Sequence, residues 1–446
     1  MIILGIGSNL GHRLQNLRNA FNLLKQPADI QVLAVSPVYQ SEALVPEHAP
    51  ANWNKPFYNV AIGIQTSLTP LDLLKRLKTL EKKLGRIIAD HWAPRVIDLD
   101  ILAWDQQIYD ETHLKIPHAG LLERPFALWP LLDIMPSWQH PTHYSLQLQR
   151  EQQWGERYSI KAPFKTQQIL HRIDAPQLVG IVNASPESFT ADSFQNTDEL
   201  IAHSIALWEA GASVLDFGGQ STAPGAKILS PEYVWKRLEP IFTALNAYWQ
   251  NNPERPLFSI DSHQPFVVEK AFEHGVDWIN DISGYVDSTI QTLVKNSKVR
   301  CVLMHQLVIP ADPKHNIPLD ADPIDVVCLW FKNRMNTLDI DSGRFILDPG
   351  IGFAKNLQQK RRLLQNLSAI QSLACDLMVG HSRKVVGLMT KPWANNERDI
   401  ETVSVGLSIA AQTDYLRVHN VAWMQQALCS YLHLLTGIHH ESFSTL

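Results

Sequence analysis

Cysteine is scarce in this sequence, and the four cysteines that occur are far apart. Cys301, Cys328, Cys375 and Cys429 form no CxxC pair, so neither a zinc motif nor a disulfide framework is indicated. Basic residues are not in excess either, because 39 Lys and Arg stand against 44 Asp and Glu, a net charge of −5. A chain without an excess of positive charge is not expected to bind nucleic acid.

Long apolar segments are also absent. No run approaches the roughly 18 consecutive apolar residues that a membrane span requires. The opening stretch MIILGIGSNLGHR has no basic start and only a short apolar run, which predicts a strand and not a signal peptide. With reduced cysteines and no membrane segment, we expect a cytoplasmic protein. A length of 446 residues and an apolar fraction of 45% predict a globular chain of two or three domains.

What the second part of the chain does contain is one pattern repeated eight times. A short apolar run ends in a polar residue or cluster, and a helix-like segment follows, which is typical of buried parallel strands in βα units. The polar strand ends are, in order, Asn183, Asp216, Asp261, Asn280-Asp281, Met304-His305, Asp348, His381 to Lys384 and Arg417 to His419. Eight such units predict a (β/α)8 TIM barrel, in which the polar ends gather on one face. An open doubly wound sheet shows the same alternation and is the alternative.

The first part, residues 1 to 155, has a different pattern. Few strands and two long helices predict an α+β ferredoxin-like sandwich, a sheet with helices packed on it. Thr69-Pro70 marks the start of the second helix, with a Thr cap and Pro at the first helical position. A linker over residues 156 to 176 would join this domain to the barrel, residues 177 to 440.

Two acids stand out in the first part. Asp98 and Asp100 are two positions apart on a predicted strand, so both carboxylates point to the same face. Neighbouring carboxylates repel unless a cation lies between them, and Mg²⁺ prefers such oxygen ligands together with phosphate and water. Arg95 could neutralise the phosphate. The alternative is that both acids belong to the solvent face of an ordinary strand.

The stretch around these acids, WAPRVIDLDI, resembles the signature of the 6-hydroxymethyl-7,8-dihydropterin pyrophosphokinases. Further landmarks of that family follow in order over residues 1 to 150: Gly7 to Leu10, Tyr39, Asn59, Gly85-Arg86, Pro117-His118 and Arg124 to Pro130. The resemblance implies transfer of pyrophosphate from ATP to a pterin alcohol, with release of AMP.

The same resemblance assigns residues to roles. It implies that Asp98 and Asp100 hold two Mg²⁺ on ATP, and that Arg95 and Arg86 meet the phosphates and take part in catalysis. For the pterin, it implies a hydrogen bond from Asn59 and stacking on Phe57 and Phe126. It also implies that His118 lies along the nucleotide and that Arg124 contributes to substrate binding.

The barrel part resembles the dihydropteroate synthases. GIVNASPESF, DFGGQSTAPG, DPGIGFAK, the Ser-Arg-Lys at 382–384 and the Arg-Val-His at 417–419 match that family's signatures over residues 177 to 437. The resemblance implies condensation of the pterin diphosphate with p-aminobenzoate, and release of diphosphate. It implies that the pterin is bound by Asp261, Asn280, Asp348 and Lys384, and that Met304 and Phe353 form the walls beside its ring. It implies that Thr222, Arg417 and His419 bind substrate and diphosphate, and that Asn183 binds one Mg²⁺. Lys384 and Arg417 would also be catalytic.

Four features depart from the synthase pattern. Ala223 replaces an arginine, Val385 replaces a serine, Gln220 replaces an acid, and residues 190–194 lack the usual glycines. All four fall on loops that would bind the diphosphate and the benzoate, whereas the residues implied for pterin binding match the family pattern. The departures leave the rate of condensation open, since loss of one charged phosphate contact typically costs about 1.5–3 kcal/mol.

The function predicted from these observations is two consecutive steps of folate synthesis on one chain. One alternative is an active pyrophosphokinase whose barrel binds pterin but condenses poorly and acts as a structural module. Another is a pterin-binding barrel of the corrinoid-linked methyltransferase class, against which the Ser-Arg-Lys and Arg-Val-His stretches argue. Trp423, Leu428, Tyr431, Leu432 and Leu435 could form a homodimer face on a barrel helix, or could pack in its core.

Overall fold

The structure is a computed structural model that describes residues 1–87, 92–184, 196–220, 228–309, 315–384, 386–387 and 393–436. Four predictions lie outside the described residues: the substrate contact of Thr222 and the three departures at Ala223, Val385 and residues 190–194. The described chain divides into two compact units. The first comprises residues 1–174 and 429–436, and the second comprises residues 175–428.

The first unit contains eight strands and four α-helices among its described residues up to 174. They are β1 (Ile2–Ser8), α1 (Arg13–Leu24), β2 (Ile30–Val35), β3 (Val38–Ser41), β4 (Phe57–Thr66), α2 (Pro70–Lys83), β5 (Asp98–Trp104), β6 (Tyr109–Glu111), β7 (Leu114–Ile116), α3 (Pro125–Ile134), α4 (Tyr144–Trp154) and β8 (Gln167–Ile169).

Six of these strands form one sheet of order β5-β1-β4-β3-β8, with β2 also paired to β4, and every pair is antiparallel. Successive side chains of β1 point to opposite faces, so Ile2 and Leu4 join one apolar cluster and Ile3 joins another. Helices α1 and α2 pack in the first cluster, and α3 packs in the second. Strand β8 lies within the segment predicted as a linker, and its partner is β3 of the first sheet.

The second unit repeats strand and helix. Its elements are β9 (Gln177–Asn183), α5 (Thr197–Glu209), β10 (Ala212–Gly218), α6 (Pro231–Tyr248), β11 (Leu257–Asp261), α7 (Pro265–Glu273), β12 (Trp278–Asp281), α8 (Ser288–Lys295), β13 (Arg300–Met304), α9 (Pro323–Leu338), β14 (Phe345–Asp348), α10 (Leu357–Leu364), α11 (Leu367–Gln371), β15 (Asp376–Val379), α12 (Asn395–Ile409), β16 (Tyr415–Val418) and α13 (Val421–Thr436), whose last turns belong to the first unit.

Strands β9 to β16 close into a barrel of eight parallel strands, with β16 paired to β9. Seven inward-facing side chains, Val179, Val214, Trp278, Val302, Ile346, Met378 and Tyr415, fill its interior as one cluster. The barrel is therefore packed and not hollow, as expected for this fold. Both predicted fold classes are confirmed. In the part of the chain that the structure describes, no helix combines the length and the apolarity that a bilayer crossing needs.

Candidate active sites

The first unit contains a cavity of about 820 Å³ whose lining includes every residue predicted for the pyrophosphokinase site. Those residues are Phe57, Asn59, Arg86, Arg95, Asp98, Asp100, His118, Arg124 and Phe126. They come from β4, the turn after α2, β5 and the residues just before it, the turn after β7, and the start of α3. Pairing of β1 with both β4 and β5 brings these distant stretches together.

Two glycines of β1 keep the acid pair accessible. Gly7 and Gly5 are the cross-strand neighbours of Asp98 and Asp100. A side chain at either glycine would crowd the neighbouring strands, since a Cβ at position 7 would lie 3.1 Å from Asn59 Oδ1. The glycines therefore leave the carboxylates and Asn59 facing open space.

Basic side chains surround the two carboxylates. Asp98 accepts hydrogen bonds from Arg86 Nη1 at 2.5 Å and from Arg95 Nη1 at 3.1 Å. Lys78 Nζ lies 3.6 Å from Asp100 Oδ1. Burial and repulsion from Asp98 raise the pKa of the Asp100 carboxyl. This is the electrostatic situation in which an additional cation between the carboxylates is stabilised.

Glu81 is a site residue that the sequence analysis missed. Its side chain is 4% exposed and accepts from Arg86 at 2.5 Å, from Lys78 at 2.8 Å and from the Leu99 backbone N–H at 2.7 Å. It therefore joins α2 to β5 and orients both cations. Its position on the buried face of α2, in register with Leu77 and Leu80, was the available signal, because a buried acid needs partners.

The other end of the cavity offers polar and aromatic groups. Asn59 is 9% exposed, and its Nδ2 donates to Ser41 Oγ at 3.0 Å. His118 Nδ1 accepts from the Gly120 N–H at 3.1 Å, so the neutral ring carries its proton on Nε2. Burial lowers the pKa of His118, which favours that neutral form. Phe57 and Phe126 supply aromatic wall.

In the second unit, the predicted residues lie one layer above the apolar barrel interior. Asp216, Asn280, Asp348 and Arg417 each follow an interior residue by two positions, so they point inward as well. Met304 likewise follows Val302 by two positions, and Gly380 follows Met378 by two positions. The strand register continues this layer, since Gly218 is paired with both Asn183 and Asp261, and Asp261 is paired with Asn280. The predicted gathering of strand ends is thus observed.

Arg417 holds this layer together. Its Nε donates to Asp216 Oδ2 at 2.6 Å, and its Nη2 donates to Asp261 Oδ2 at 2.7 Å. Asn280 Nδ2 donates to the same Asp216 oxygen at 3.0 Å. Asp216, which is fully buried, had no assigned role in the sequence analysis. Its role depends on barrel closure, which brings it beside a residue 201 positions away.

Three buried acceptors in this layer have no hydrogen-bond partner among the described residues. They are Asp216 Oδ1, Asp261 Oδ1 and Asn280 Oδ1. Burial raises the pKa of Asp261 to about 7, despite the opposing charge of Arg417. An unpaired buried acceptor is costly, and three together indicate a place for a ligand that donates hydrogen bonds.

Lys384 lies beside Asp348 and Phe353. Its Nζ is 4.6 Å from the centroid of the Phe353 ring. Burial lowers the pKa of Lys384 to about 8, and Asp348 opposes that effect. Burial raises the pKa of Asp348, which accepts from the Gly350 N–H at 2.8 Å. Asp348 ends β14, and Lys384 follows β15, the next strand of the barrel.

Arg417 and His419, which the resemblance implies for the diphosphate, differ in charge in this structure. His419 Nδ1 lies 2.8 Å from Ser382 Oγ, and burial keeps the pKa of His419 well below its ordinary value. The ring therefore offers hydrogen bonds without charge. Arg383 is paired with Asp399 through bonds of 2.8 and 3.0 Å. Gln220 Oε1 accepts from the Leu229 N–H at 3.2 Å.

Comparison with known proteins agrees with this geometry. The family model described as "7,8-dihydro-6-hydroxymethylpterin-pyrophosphokinase (HPPK)" matches residues 3–136, and the one described as "Pterin binding enzyme" matches residues 179–419. The "Folate synthesis bifunctional protein" of Chlamydia caviae is 31% identical over 96% of both chains. A dihydropteroate synthase from Anaplasma phagocytophilum with bound 6-hydroxymethylpterin-monophosphate covers 58% of this chain and 99% of its own, at 29% identity and a TM-score of 0.52.

A crystal structure of an HPPK-DHPS in complex with substrates shares the fold over 98% of this chain and 99% of its own, with 19% identity and a TM-score of 0.52. Fold and sites together define an enzyme with two pterin domains, a pyrophosphokinase followed by a synthase barrel. The chain belongs to the bifunctional folate-synthesis family that joins these two activities, and it is an enzyme with both.

The Arg417 network predicts a stability cost at Asp216. Asp216→Ala leaves Arg417 and Asn280 without a shared acceptor in a buried layer, so we expect the barrel's free energy of unfolding to fall by about 3 kcal/mol. Urea unfolding followed by circular dichroism measures this change. Glu273→Ala is the control, because it removes an exposed ion pair with Lys270 and should leave stability essentially unchanged. Equal stability of the two variants would contradict the role given to Asp216.

Proposed function

We propose that the cavity of the first unit binds ATP and 6-hydroxymethyl-7,8-dihydropterin, and that the barrel mouth joins the resulting pterin diphosphate to p-aminobenzoate. In the first reaction, the hydroxymethyl oxygen attacks the β-phosphorus of ATP, AMP leaves with the bridging oxygen, and the hydroxyl proton is lost. In the second, the amine nitrogen replaces diphosphate on the methylene carbon and gives up a proton, which yields 7,8-dihydropteroate.

The acid pair fits magnesium. Asp98 and Asp100 present hard oxygen donors on one face, and burial, followed by repulsion from Asp98, raises the pKa of Asp100, which a bound cation would counteract. We assign two Mg²⁺ to these residues together with ATP. Bound there, Mg²⁺ neutralises phosphate charge and polarises the phosphorus.

The basic residues of the first site then have defined tasks. Arg86 and Arg95 both donate to Asp98, and with a metal held by that carboxylate they would be free to donate to phosphate oxygens. Glu81 keeps Arg86 and Lys78 directed into the cavity. Because phosphoryl transfer depends mainly on positioning and on charge, we expect these contacts to supply most of the rate enhancement.

The pterin occupies the aromatic end of the cavity in this proposal. Asn59 Nδ2 is used by Ser41, so its Oδ1 faces the space beside Gly7 and can accept from the pterin. Phe57 and Phe126 stack on the ring, which suits a flat heterocycle. His118, with its proton on Nε2, and Arg124 donate to the nucleotide side.

The barrel assignment rests on one observation, the three unpaired buried acceptors at Asp216, Asp261 and Asn280. A pterin presents an amino group and a ring N–H along one edge, which are the donors that these oxygens lack. Asp261 and Asn280 accept from this edge. Asp348 hydrogen-bonds to the pterin away from this edge, and Lys384 donates to the pterin carbonyl. Met304 and Phe353 are the walls.

The diphosphate end is formed by Arg417 and His419, with Thr222 as a further substrate contact. Arg417 contributes charge, and His419 contributes a hydrogen bond from a neutral ring. The Asn183 amide oxygen lies beside Gly218, 3.5 Å from the position that a Cβ on that glycine would occupy. It fits one Mg²⁺, which would neutralise charge on the departing diphosphate.

Assembly and location belong to the same proposal. Trp423, Tyr431 and Leu435 on α13 are 46%, 39% and 37% exposed, whereas Leu428 is fully buried, so the first three form the face that we assign to a homodimer. None of the four cysteines, all within the described residues, forms a disulfide, which suits the reducing cytoplasm.

The acid pair gives a separable test of the first reaction. We expect Asp98→Asn and Asp100→Asn each to lower AMP formation by about 100-fold or more, because each removes a metal-binding charge. Dihydropteroate formation from supplied pterin diphosphate should be unaffected. Asp110→Asn, an exposed acid paired with Lys115, is the matched control. Loss of both reactions together would argue against the assignment.

The barrel predicts a narrow pH optimum for the second reaction. Below about pH 7 the Asp261 carboxylate gains a proton and can no longer accept two N–H donors, and above about pH 8 Lys384 loses its charge. We therefore expect kcat/KM for the pterin diphosphate to fall on both sides of this window. Asp261→Asn should abolish the acid limb, and an acid limb that persists unchanged in this variant would contradict the role of Asp261.

A further inference from the structure

The segment from Arg157 to His171 lies beyond the part of the chain that matches the pyrophosphokinase family model, which ends at residue 136. It nevertheless contacts two elements of the first active site. Strand β8, within the segment, pairs with β3 so that Tyr39 faces Gln168, and the Val38 N–H donates to the His171 carbonyl at 3.1 Å. The segment therefore extends the sheet that carries Asn59.

A second contact fixes the segment to α3. Arg157 Nη1 donates to Asp133, whose other oxygen accepts from Tyr39 Oη at 2.7 Å. The Arg157 carbonyl accepts from the Gln168 N–H at 2.6 Å. Because Asp133 belongs to α3 and Tyr39 to β3, Arg157 joins the two elements that border the pterin end of the cavity.

The turn at Pro163–Lys165 then reaches the cavity wall itself. The Phe164 ring packs edge-on against the ring of Phe126, with centroids 5.5 Å apart. The Phe164 carbonyl accepts from the Glu42 N–H at 2.7 Å, and Lys165 Nζ lies 2.5 Å from Glu42 Oε1. Glu42 lines the cavity and directly follows Ser41, which holds the Asn59 amide.

The backbone of this turn is in an unusual conformation. Phe164 has φ of +58° and Lys165 has φ of +42°, a left-handed region that bulky side chains rarely adopt. Such a conformation persists only where surrounding contacts impose it, and it clusters at functional sites. Here those contacts are the bonds to Glu42 and the packing on Phe126.

We infer that Phe164 and the segment around it are positioning elements of the first active site. Phe164 sets the orientation of Phe126, and its carbonyl fixes the end of β3 from which Ser41 orients Asn59. This inference rests on the proposed pterin contacts of Asn59 and Phe126. Its consequence is that pterin affinity in the first reaction depends on residues beyond the matched domain.

The test uses the full-length enzyme and measures both reactions. Phe164→Gly removes the ring and tolerates the left-handed backbone. We expect the KM for 6-hydroxymethyl-7,8-dihydropterin to rise about three- to tenfold, as loss of an aromatic pair predicts. The KM for ATP and the second reaction should be unchanged. Phe164→Tyr should retain the low KM, and Ile160→Gly, at an exposed position of the same segment, should behave as wild type.

Two results would overturn the inference. The first is an unchanged pterin KM in Phe164→Gly. The second is general destabilisation, seen as an equal rise in the KM for both substrates or as an equal loss of both reactions. Asn59→Ala and Phe126→Ala in the same assay separate this inference from the proposed function. If they leave the pterin KM unchanged, the pterin placement is wrong. If they raise it while Phe164→Gly does not, only the positioning role fails.

Discussion

The interaction on which the synthase site depends is the sharing of one guanidinium, that of Arg417, between the carboxylates of Asp216 and Asp261. A closed parallel barrel turns alternate side chains inward, and here the layer beneath is filled by apolar residues. Charged groups packed on this apolar layer cannot be hydrated from that side, so they must neutralise one another. Arg417 does this with one oxygen of each acid, and the opposite oxygens have no hydrogen-bond partner among the described residues.

The pyrophosphokinase site meets the same problem on an open sheet. Asp98 and Asp100 lie at the edge of a cavity, where Arg86, Arg95 and Lys78 supply the counter-charge. Glu81 holds two of these cations from the buried side. The acids are partly exposed in this site, with 25% of the Asp98 side chain and 40% of the Asp100 side chain accessible. In the function proposed above, metal and phosphate replace the arginine contacts of this site, whereas the ion pairs of Arg417 in the barrel stay in place.

Most of this arrangement could be predicted from local sequence. Each barrel strand is a short apolar run ended by a polar residue, and closure then fixes which ends meet. The carboxylates of Asp98 and Asp100 share a face because strand periodicity requires it. The role of Asp216 could not be predicted, because its partner Arg417 is 201 positions away in sequence and only barrel closure brings the two together. Strand β8 has the short polar sequence Gln-Gln-Ile, which carries no apolar alternation, and only its pairing with β3 reveals it. The neutral state of His419 depends on burial, which sequence does not give.

The most direct measurement of the central claim, that one chain uses both sites in sequence, follows both products in one reaction. Purified enzyme receives 6-hydroxymethyl-7,8-dihydropterin, ATP, Mg²⁺ and p-aminobenzoate, and AMP and dihydropteroate are quantified separately over time. We expect AMP to form with or without p-aminobenzoate, and dihydropteroate to form only when both ATP and p-aminobenzoate are present. AMP formation without dihydropteroate, with p-aminobenzoate present, would contradict the account.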